Sequence, residues 1–403
     1  MSLEWIMIFF ASLIAIGILL HHPARTLGLP SLLIFMSVGL ALGNGEFDFV
    51  YDNISATAIV GSMALNLIVF TGGINSSYTS IRVAYREGGM LSTFGVLFTT
   101  LFFSLILYYI IDLNFILCLL FAAIVSSTDA AAVFSILKSQ KLNLKEQTST
   151  VLEFESATND PVALLMVVLL TGLALEAGAE PLSASSIGLE LLMQIVVGLG
   201  MGWGIGKLSV WLLNRIKLEE YGLIPVFVLS TFILASYGAD ALGGNILIAS
   251  YVSGAIIGNE LVRGKELSKH FFNSLSWLAQ ALMFIILGLQ IFPQQLIGVF
   301  TLSILPAALL ILVARPLAVF LCYLPFRKAS WRKQLFVSAI GLKGATPIVF
   351  ALIPAAAGVP EALTILHMVF FVVLVSVFVQ GGAIAPLARV LKLEQEDQNP
   401  TAS

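Results

Sequence analysis

Charged side chains are scarce in this chain. Asp, Glu, Lys and Arg together make up 11% of its 403 residues, whereas they make up about 25% of a typical soluble domain. A water-exposed surface cannot be assembled from so few charges. The scarcity therefore excludes an ordinary soluble globular protein.

Cysteine is almost absent. The two cysteines, Cys118 and Cys322, both fall within apolar stretches, where cysteine usually behaves as a small buried hydrophobic residue. They provide neither a disulfide framework nor a cysteine-based metal site. The net charge of −3 and the scattering of basic residues along the chain also exclude the basic patch that is typical of nucleic-acid binding. We predict no resident cofactor and no nucleic-acid partner.

Hydrophobic residues are abundant instead, at 59% of the chain. A transmembrane helix needs about 20 mostly apolar residues, and thirteen such runs are separated by short polar segments. No positively charged segment precedes the first run and no cleavage site follows it, so we interpret it as a retained helix. We predict an all-α polytopic membrane protein surrounded by lipid. Its spans, numbered one to thirteen, cover residues 3–20, 29–43, 54–73, 89–111, 114–137, 148–175, 185–213, 221–238, 243–259, 270–291, 296–325, 333–355 and 361–391.

The loops on the two sides of this predicted domain carry opposite charges. Lys and Arg occur in alternate loops, and the loops between them hold acidic residues without any Lys or Arg. Positive charge in short loops marks the cytoplasmic side, so we predict an outside N-terminus and an inside C-terminus. Residues 1–392 then form the membrane domain, and 393–403 form a short cytoplasmic tail. The positive loops contain Arg25, Arg82, Arg86, Lys138, Lys141, Lys145, Lys207, Arg215, Lys217, Arg263, Lys265, Lys269, Arg327, Lys328, Arg332 and Lys333.

Five ionisable residues fall within the spans, where a charge costs at least about 2.5–3.5 kcal/mol on insertion scales. Because of that cost, an intramembrane ionisable residue is a functional candidate by default. The five are Asp129, Glu155, Asp160, Arg315 and Lys343.

Spans five and twelve are predicted to be interrupted. Asp129 lies in a run of small polar residues that compete for backbone hydrogen bonds, and Pro347 removes a helical donor close to Lys343. Broken helices at corresponding positions of two halves indicate the midplane site of a secondary transporter. We predict two inverted six-helix repeats, 1–175 and 221–392, joined by a linking helix at 185–213, with unwound helices five and twelve crossing. At such a crossing Asp129 and Lys343 can offset the partial charges of the helix ends; direct ion binding remains an open alternative for Asp129.

Span six carries the strongest candidate site. Ser156 and Asp160 are i, i+4 neighbours on one helix face with Asn159 beside them, and Pro161 leaves the Ala157 carbonyl without its helical donor. These oxygen donors suit a hard cation. We predict Na⁺ or K⁺ at Asp160; the alternative is a buried carboxylate that caps a broken helix.

Glu155 points about 140° away from Asp160 around the same helix. An unpaired buried Arg315 would be very costly. The two are therefore predicted to form an ion pair that holds helices together, and a direct role in transport is the less favoured alternative.

Four ordered motifs also occur together in one known family. They are Thr128-Asp129, Glu155-Ser156-x-x-Asn159-Asp160-Pro161, Arg315, and Gly341-Leu342-Lys343-Gly344-Ala345. Through them the chain resembles the monovalent cation:proton antiporter-1 family, in its NhaP branch. The resemblance implies an ion site formed by Asp160, Asn159, Ser156, Thr128 and Asp129, a structural pair of Glu155 with Arg315, and a homodimer in a bacterial inner membrane that serves pH homeostasis.

Two positions depart from the pattern of that family. Thr71 stands in span three where relatives commonly have an acidic residue, which puts a carboxylate ligand from that span in doubt. Lys343 stands where arginine is usual. Many relatives also have a cytoplasmic regulatory domain after the last span, whereas this sequence ends in a short acidic tail containing Glu394, Glu396 and Asp397.

The expected function is therefore secondary transport and not enzyme catalysis. A cation and a proton would compete at Asp160, and Asn159 in place of a second acid favours electroneutral one-for-one exchange by alternating access. The sequence does not distinguish Na⁺ from K⁺ as the transported cation. Two rival functions are a cation channel and an intramembrane aspartyl protease in which Asp129 and Asp160 share a proton.

Overall fold

A computed structural model describes residues 31–42, 51, 53–111, 113–129, 142, 144–175, 184–216, 219–290 and 293–394, with scattered positions between 4 and 19. Within these residues the regular structure is helical, and the sole β-type pairing is an isolated bridge between Leu144 and Glu394. The predicted all-α class is confirmed for this part of the chain. The helices are α1 Ser31–Leu42, α2 Ile54–Asn75, α3 Tyr78–Met90, α4 Val96–Ile110, α5 Phe115–Ile124, α6 Thr148–Leu175, α7 Ala184–Arg215, α8 Leu223–Ala241, α9 Ile246–Glu260, α10 Lys265–Gln290, α11 Pro293–Leu309, α12 Arg315–Tyr323, α13 Trp331–Ala339, α14 Ala345–Ala356 and α15 Ala362–Val390.

Eight helical stretches in the described residues are long and apolar enough to cross a membrane, and three shorter apolar helices accompany them. The chain is therefore an integral membrane protein. Each predicted span from two to thirteen overlaps one or two of the helices α1–α15. Span one lies mostly outside the described residues, as do 130–137 of span five and the tail beyond Glu394, so the count of thirteen and the orientation stay predictions.

Polar residues in the connections set where several helices begin. Asn53 accepts a hydrogen bond from the Ala56 amide at 2.9 Å and starts α2. Asn245 accepts from the amides of Leu247 and Ile248, both at 3.0 Å, and starts α9. Such caps satisfy backbone donors that a helix leaves unpaired at its first turn, and this matters more where lipid replaces water.

The helices pack in two groups. The scaffold bundle contains α1, α2 and α7–α10, and the core bundle contains α3–α6 and α11–α15. The two bundles meet mainly through α2 and α14. A Cβ placed on Gly61 of α2 would lie 3.1 Å from a methyl carbon of Val349 on α14. The two helices thus touch closely at this point.

Glycines let helices of the scaffold bundle approach backbone to backbone. A Cβ on Gly254 of α9 would overlap the carbonyl oxygen of Phe70 on α2, and one on Gly258 would overlap that of Ile74. Small residues at helix crossings are the usual means of close packing in membranes. The α2 and α9 helices therefore form a tight pair.

Two helical stretches contain a π turn. Leu91–Gly95 joins α3 to α4, and Leu310–Ala314 joins α11 to α12. The Leu91–Gly95 turn contacts α12, and the Leu310–Ala314 turn contacts α4. Single π turns within α-helices are rare, and these two lie in predicted spans four and eleven, which the predicted inverted repeats make counterparts.

We expect Gly254→Ala to lower the thermal midpoint of the purified protein. The added methyl group must push α9 away from α2, and overpacking of this kind typically costs about 1–3 kcal/mol. The matched control is Gly382→Ala on α15, where a Cβ would meet nothing within 4 Å; it should leave the midpoint unchanged or slightly raised. Size-exclusion chromatography after heating measures both, and equal stability of the two variants would contradict the packing described.

Candidate ion-binding site

Asp160 lies on α6, which continues as one helix through Pro161. Its side chain is buried and accepts a hydrogen bond from the hydroxyl of Ser127. The Thr346 side chain, from the first turn of α14, also bonds to the carboxylate. Three separate segments of the core bundle thus converge on this one acidic group.

Two non-helical segments meet beside Asp160. The first follows α5 and covers 125–129, and the second covers 340–344 between α13 and α14. The Asp129 amide donates to the Leu342 carbonyl at 2.8 Å. The Lys343 ammonium donates to the carbonyls of Ser126 at 3.2 Å and Ser127 at 2.8 Å. Each segment therefore satisfies backbone groups of the other.

The charges at this meeting point match the helix ends that they face. Lys343 binds carbonyls just beyond the C-terminus of α5, which carries partial negative charge. The Asp129 carboxylate lies against Gly344, the residue before α14, so closely that a Cβ there would overlap it. A helix N-terminus carries partial positive charge. Gly344 thus leaves the space that Asp129 occupies.

Helix α15 fastens the second non-helical segment. Ser376 accepts a hydrogen bond from the Lys343 amide at 2.8 Å and donates to Gln380 at 2.5 Å. Gln380 donates in turn to the Ala339 carbonyl at 2.8 Å. The side chains of Ser376 and Gln380 are both buried in the core bundle. Helix α15 therefore holds the 340–344 segment at Lys343 and at Ala339, the residue that precedes the segment.

A second polar group surrounds Thr128. Its hydroxyl lies 3.0 Å from that of Ser156 and accepts from the Asn159 amide nitrogen at 2.5 Å. The Asn159 carbonyl oxygen is buried and has no hydrogen-bond partner within the described residues. Asn159 thus bonds to the first non-helical segment through Thr128. Ser156 contacts the same threonine and also lines the cavity described below.

Glu155 and Arg315 form an ion pair within the core bundle. Both side chains are almost fully buried. A Cβ on Gly341 would lie 3.0 Å from the Arg315 Nε atom, so the guanidinium also borders the second non-helical segment. The pair therefore ties α6 to α12 next to the crossing.

A cavity of about 570 Å³ reaches Asp160 from one side. Thr71 on α2, Ser156 on α6 and Thr346 on α14 line it, and Asp129 also borders it. The Thr71 hydroxyl donates to the Leu67 carbonyl at 2.8 Å, so α2 brings a neutral polar group to the cavity. No cluster of three or more His, Cys, Asp or Glu side chains suited to a metal ion occurs in the described part of the chain.

Sequence reasoning missed four polar side chains of this site: Ser127, Thr346, Ser376 and Gln380. Ser127 and Thr346 stand beside the motifs already singled out, yet only the folded chain shows that they reach Asp160. Ser376 and Gln380 had a usable signal, because they are i, i+4 polar neighbours on one face of a long apolar helix.

We expect Arg315→Met to destabilise the protein by about 3–5 kcal/mol, because it leaves Glu155 buried without its partner. The double variant Arg315→Met with Glu155→Leu should recover much of that loss, since two apolar groups need no partner. The control Arg389→Met breaks an exposed pair, with 3.7 Å between Arg389 and Glu394, and should cost at most about 1 kcal/mol. Thermal midpoints in detergent test all three variants. If Arg315→Met alone were as stable as Arg389→Met, the structural role of the pair would be refuted.

Comparison with known proteins assigns the family. The family model described as sodium/hydrogen exchanger, transmembrane, matches residues 9–390. The K(+)/H(+) antiporter NhaP2 of Shewanella sp. (strain MR-4) is 39% identical over 385 residues, which are 95% of this chain and 66% of the relative. The Na(+)/H(+) antiporter NhaP of Pseudomonas aeruginosa is 28% identical over 85% of this chain and 84% of its own length.

This chain spans just under two thirds, 66%, of the length of the Shewanella relative. Its fold is that of the sodium proton antiporter MjNhaP1 from Methanocaldococcus jannaschii, with a TM-score of 0.83, 22% identity and coverage of 97% of this chain and 99% of the other. The chain therefore belongs to the sodium/hydrogen exchanger family, a family of membrane transporters and not of enzymes.

Proposed function

We propose that this protein exchanges a monovalent cation for a proton across a bacterial inner membrane, with both ions competing for Asp160. The observation that carries this proposal is the cavity that reaches that carboxylate. The cavity runs from Asp160 towards Asn75 at the end of α2 and Asn273 near the start of α10. The predicted orientation puts those ends on the cytoplasmic side.

We propose that contact between the bundles closes access from the other side. The α2 and α14 helices pack together around Gly61 and Val349, beyond the Asp160 end of the cavity. A site open to one side and closed to the other is what alternating access requires. In the channel alternative, this contact would have to open while the cavity remains accessible.

The charge balance of the core supports competition at a single site. Next to the two non-helical segments, Asp129, Glu155 and Asp160 provide three carboxylates, while Arg315 and Lys343 provide two cations. Glu153, two helical turns nearer the mouth of the cavity, is not part of this set. One negative charge is therefore uncompensated when Asp160 is empty and ionised. Either one proton or one Na⁺ or K⁺ at Asp160 brings the set to neutrality, whereas the empty charged core would cross the membrane poorly.

The same balance leads to electroneutral exchange of one cation for one proton. The core bundle carries the same formal charge whether Asp160 holds a proton or a monovalent cation. A complete cycle therefore moves no net charge across the membrane. The Asp129 carboxylate lies against the N-terminus of α14, whose partial positive charge favours a negative group there.

The direct ligands that we assign are oxygen atoms of Asp160, Ser156 and Asp129, all of which border the cavity. Thr71 contributes a contact from the scaffold bundle. Asn159 is absent from the cavity wall and bonds to Thr128; we therefore assign it to positioning Thr128 and Ser156. Oxygen ligands of these kinds suit alkali cations.

Movement of the core bundle against the scaffold bundle would provide alternating access. The crossing, α6 and Lys343 all belong to the core bundle, so the site would move as one unit. The paired π turns at Leu91–Gly95 and Leu310–Ala314 support two inverted repeats with corresponding helices. We further propose that two copies of the chain associate through their scaffold bundles to form a homodimer.

The proposal leaves Na⁺ and K⁺ as the candidate substrates. The Shewanella relative is named for K⁺ and the Pseudomonas relative for Na⁺. Exchange of either ion for protons would serve the regulation of cytoplasmic pH.

We expect Asp160→Asn to abolish exchange, because an amide cannot alternate between a proton and a cation. The matched control is Asp240→Asn, the same change at an exposed position in the last turn of α8. This variant should retain wild-type exchange. Purified protein in liposomes with a pH gradient, and fluorescence recovery on adding Na⁺, K⁺ or Li⁺, provides the measurement. Unchanged exchange by Asp160→Asn would refute the proposed function.

We also expect the exchange rate to be insensitive to membrane potential, since equal formal charge crosses in both directions. A thiocyanate gradient imposes the potential without adding a candidate substrate cation. Initial rates at opposite potentials should agree within experimental error. A strong dependence on the sign of the potential would show that the exchange is electrogenic.

A further inference from the structure

Glu153 lies on the same stripe of α6 as Asp160. The cavity is lined on this helix by Glu153, Ser156, Ala157 and Asp160, which are spaced i, i+3, i+4 and i+7 and so share one face. Seven residues of α-helix place Glu153 about 10 Å from Asp160 along the helix axis. A second carboxylate therefore stands two turns nearer the mouth of the cavity.

The mouth itself is polar. Asn75 and Ser76 border it at the end of α2, and Asn273 borders it on α10. The Asn75 amide nitrogen donates to the Asn273 oxygen at 2.7 Å, and Tyr251 donates its hydroxyl to Ser76 at 3.2 Å. Among the described residues that line the cavity none is cationic. Glu153 thus adds a negative charge to an otherwise neutral polar entrance.

Glu153 has no hydrogen bond or ion pair to any residue in the described ranges, although its side chain is half-buried. The carboxylates of Glu87, Glu155 and Glu260 in the same bundles are paired with Lys333, Arg315 and Lys207. A partly buried charge without a partner loses hydration without compensation. A cation that passes through the cavity would provide that compensation.

We propose that Glu153 sets the affinity for the cation from the cytoplasmic side by drawing it into the cavity and positioning it for transfer to Asp160. This inference rests on the proposed function. A charge that lines a cleft with low-dielectric walls raises the local concentration of the oppositely charged substrate. Because Glu153 is two helical turns from Asp160, it acts on entry and leaves the exchanging site unchanged.

This role predicts a specific kinetic pattern. Loss of the Glu153 charge should weaken capture of the cation without slowing the loaded protein, so the apparent KM rises and the maximal rate stays constant. The effect should be electrostatic and hence weaken with ionic strength, since the Debye length falls from about 30 Å at 0.01 M to about 8 Å at 0.15 M. It should also be confined to the cytoplasmic face.

Everted membrane vesicles test these points, because they present the cytoplasmic face to the added NaCl or KCl. For Glu153→Gln at about 0.01 M ionic strength we expect the apparent KM to rise about 3-fold to 10-fold, which corresponds to the screened interaction of two charges about 10 Å apart. Choline chloride at about 0.15 M should reduce the difference to less than about 2-fold. Right-side-out vesicles should show the wild-type KM for the added cation.

Two further variants separate charge from shape. Glu153→Asp keeps the charge and should retain a KM close to that of the wild type. Glu219→Gln makes the same change as Glu153→Gln on an exposed connection between α7 and α8, which the orientation also puts on the cytoplasmic side, and should have no effect.

An unchanged KM for Glu153→Gln at low ionic strength would overturn the inference. So would an equal rise for Glu153→Asp, or a rise that persists in choline chloride, because either would indicate a structural effect. These outcomes differ from failure of the proposed function, which would appear as continued exchange by Asp160→Asn whatever the result at Glu153.

Discussion

The ammonium group of Lys343 is the contact on which the centre of this molecule depends. Lipid offers no hydrogen bonds to exposed backbone, yet α5 ends inside the core bundle with the carbonyls of Ser126 and Ser127 beyond its last turn. One side chain reaches both carbonyls. Because the helix can stop there, the Ser127 hydroxyl is free to bond Asp160. Stabilisation of this helix end by Lys343 thus holds the Ser127 hydroxyl next to Asp160.

The opposite helix end completes the arrangement. Gly344 leaves room for the Asp129 carboxylate in front of α14, and the Asp129 amide binds the Leu342 carbonyl. Ser376 and Gln380 hold the same segment from α15. Fixed groups thus surround Asp160 on the core side, while the cavity reaches it from the side of α2 and α10. The cation that we propose for this site would exchange its water for these fixed oxygen atoms.

The helical class, the positions of most spans and the candidate residues of α6 could be predicted from sequence, because apolar length and the cost of an intramembrane charge are local properties. Contacts between distant segments could not. Thr346 lies far along the chain from Asp160, and no local pattern brings α14 to α6. Asn159 shows that even a correctly placed residue can have an unexpected partner. Its spacing predicted that it lies beside Asp160, but its side-chain amide donates to Thr128 and does not line the cavity. The partner of a side chain depends on packing that spacing alone does not specify.

The two π turns bear on the ancestry of the chain. A hydrogen bond in a π turn encloses one residue more than in an α-helix, so each half carries one surplus residue, at Leu91–Gly95 and at Leu310–Ala314. If one ancestral gene duplicated after acquiring that insertion, the residues that directly follow the turns are counterparts. They are Val96 and Arg315, both buried. The same place would then hold a valine in one predicted half and a paired arginine in the other, so the buried ion pair would be a point at which the two halves differ.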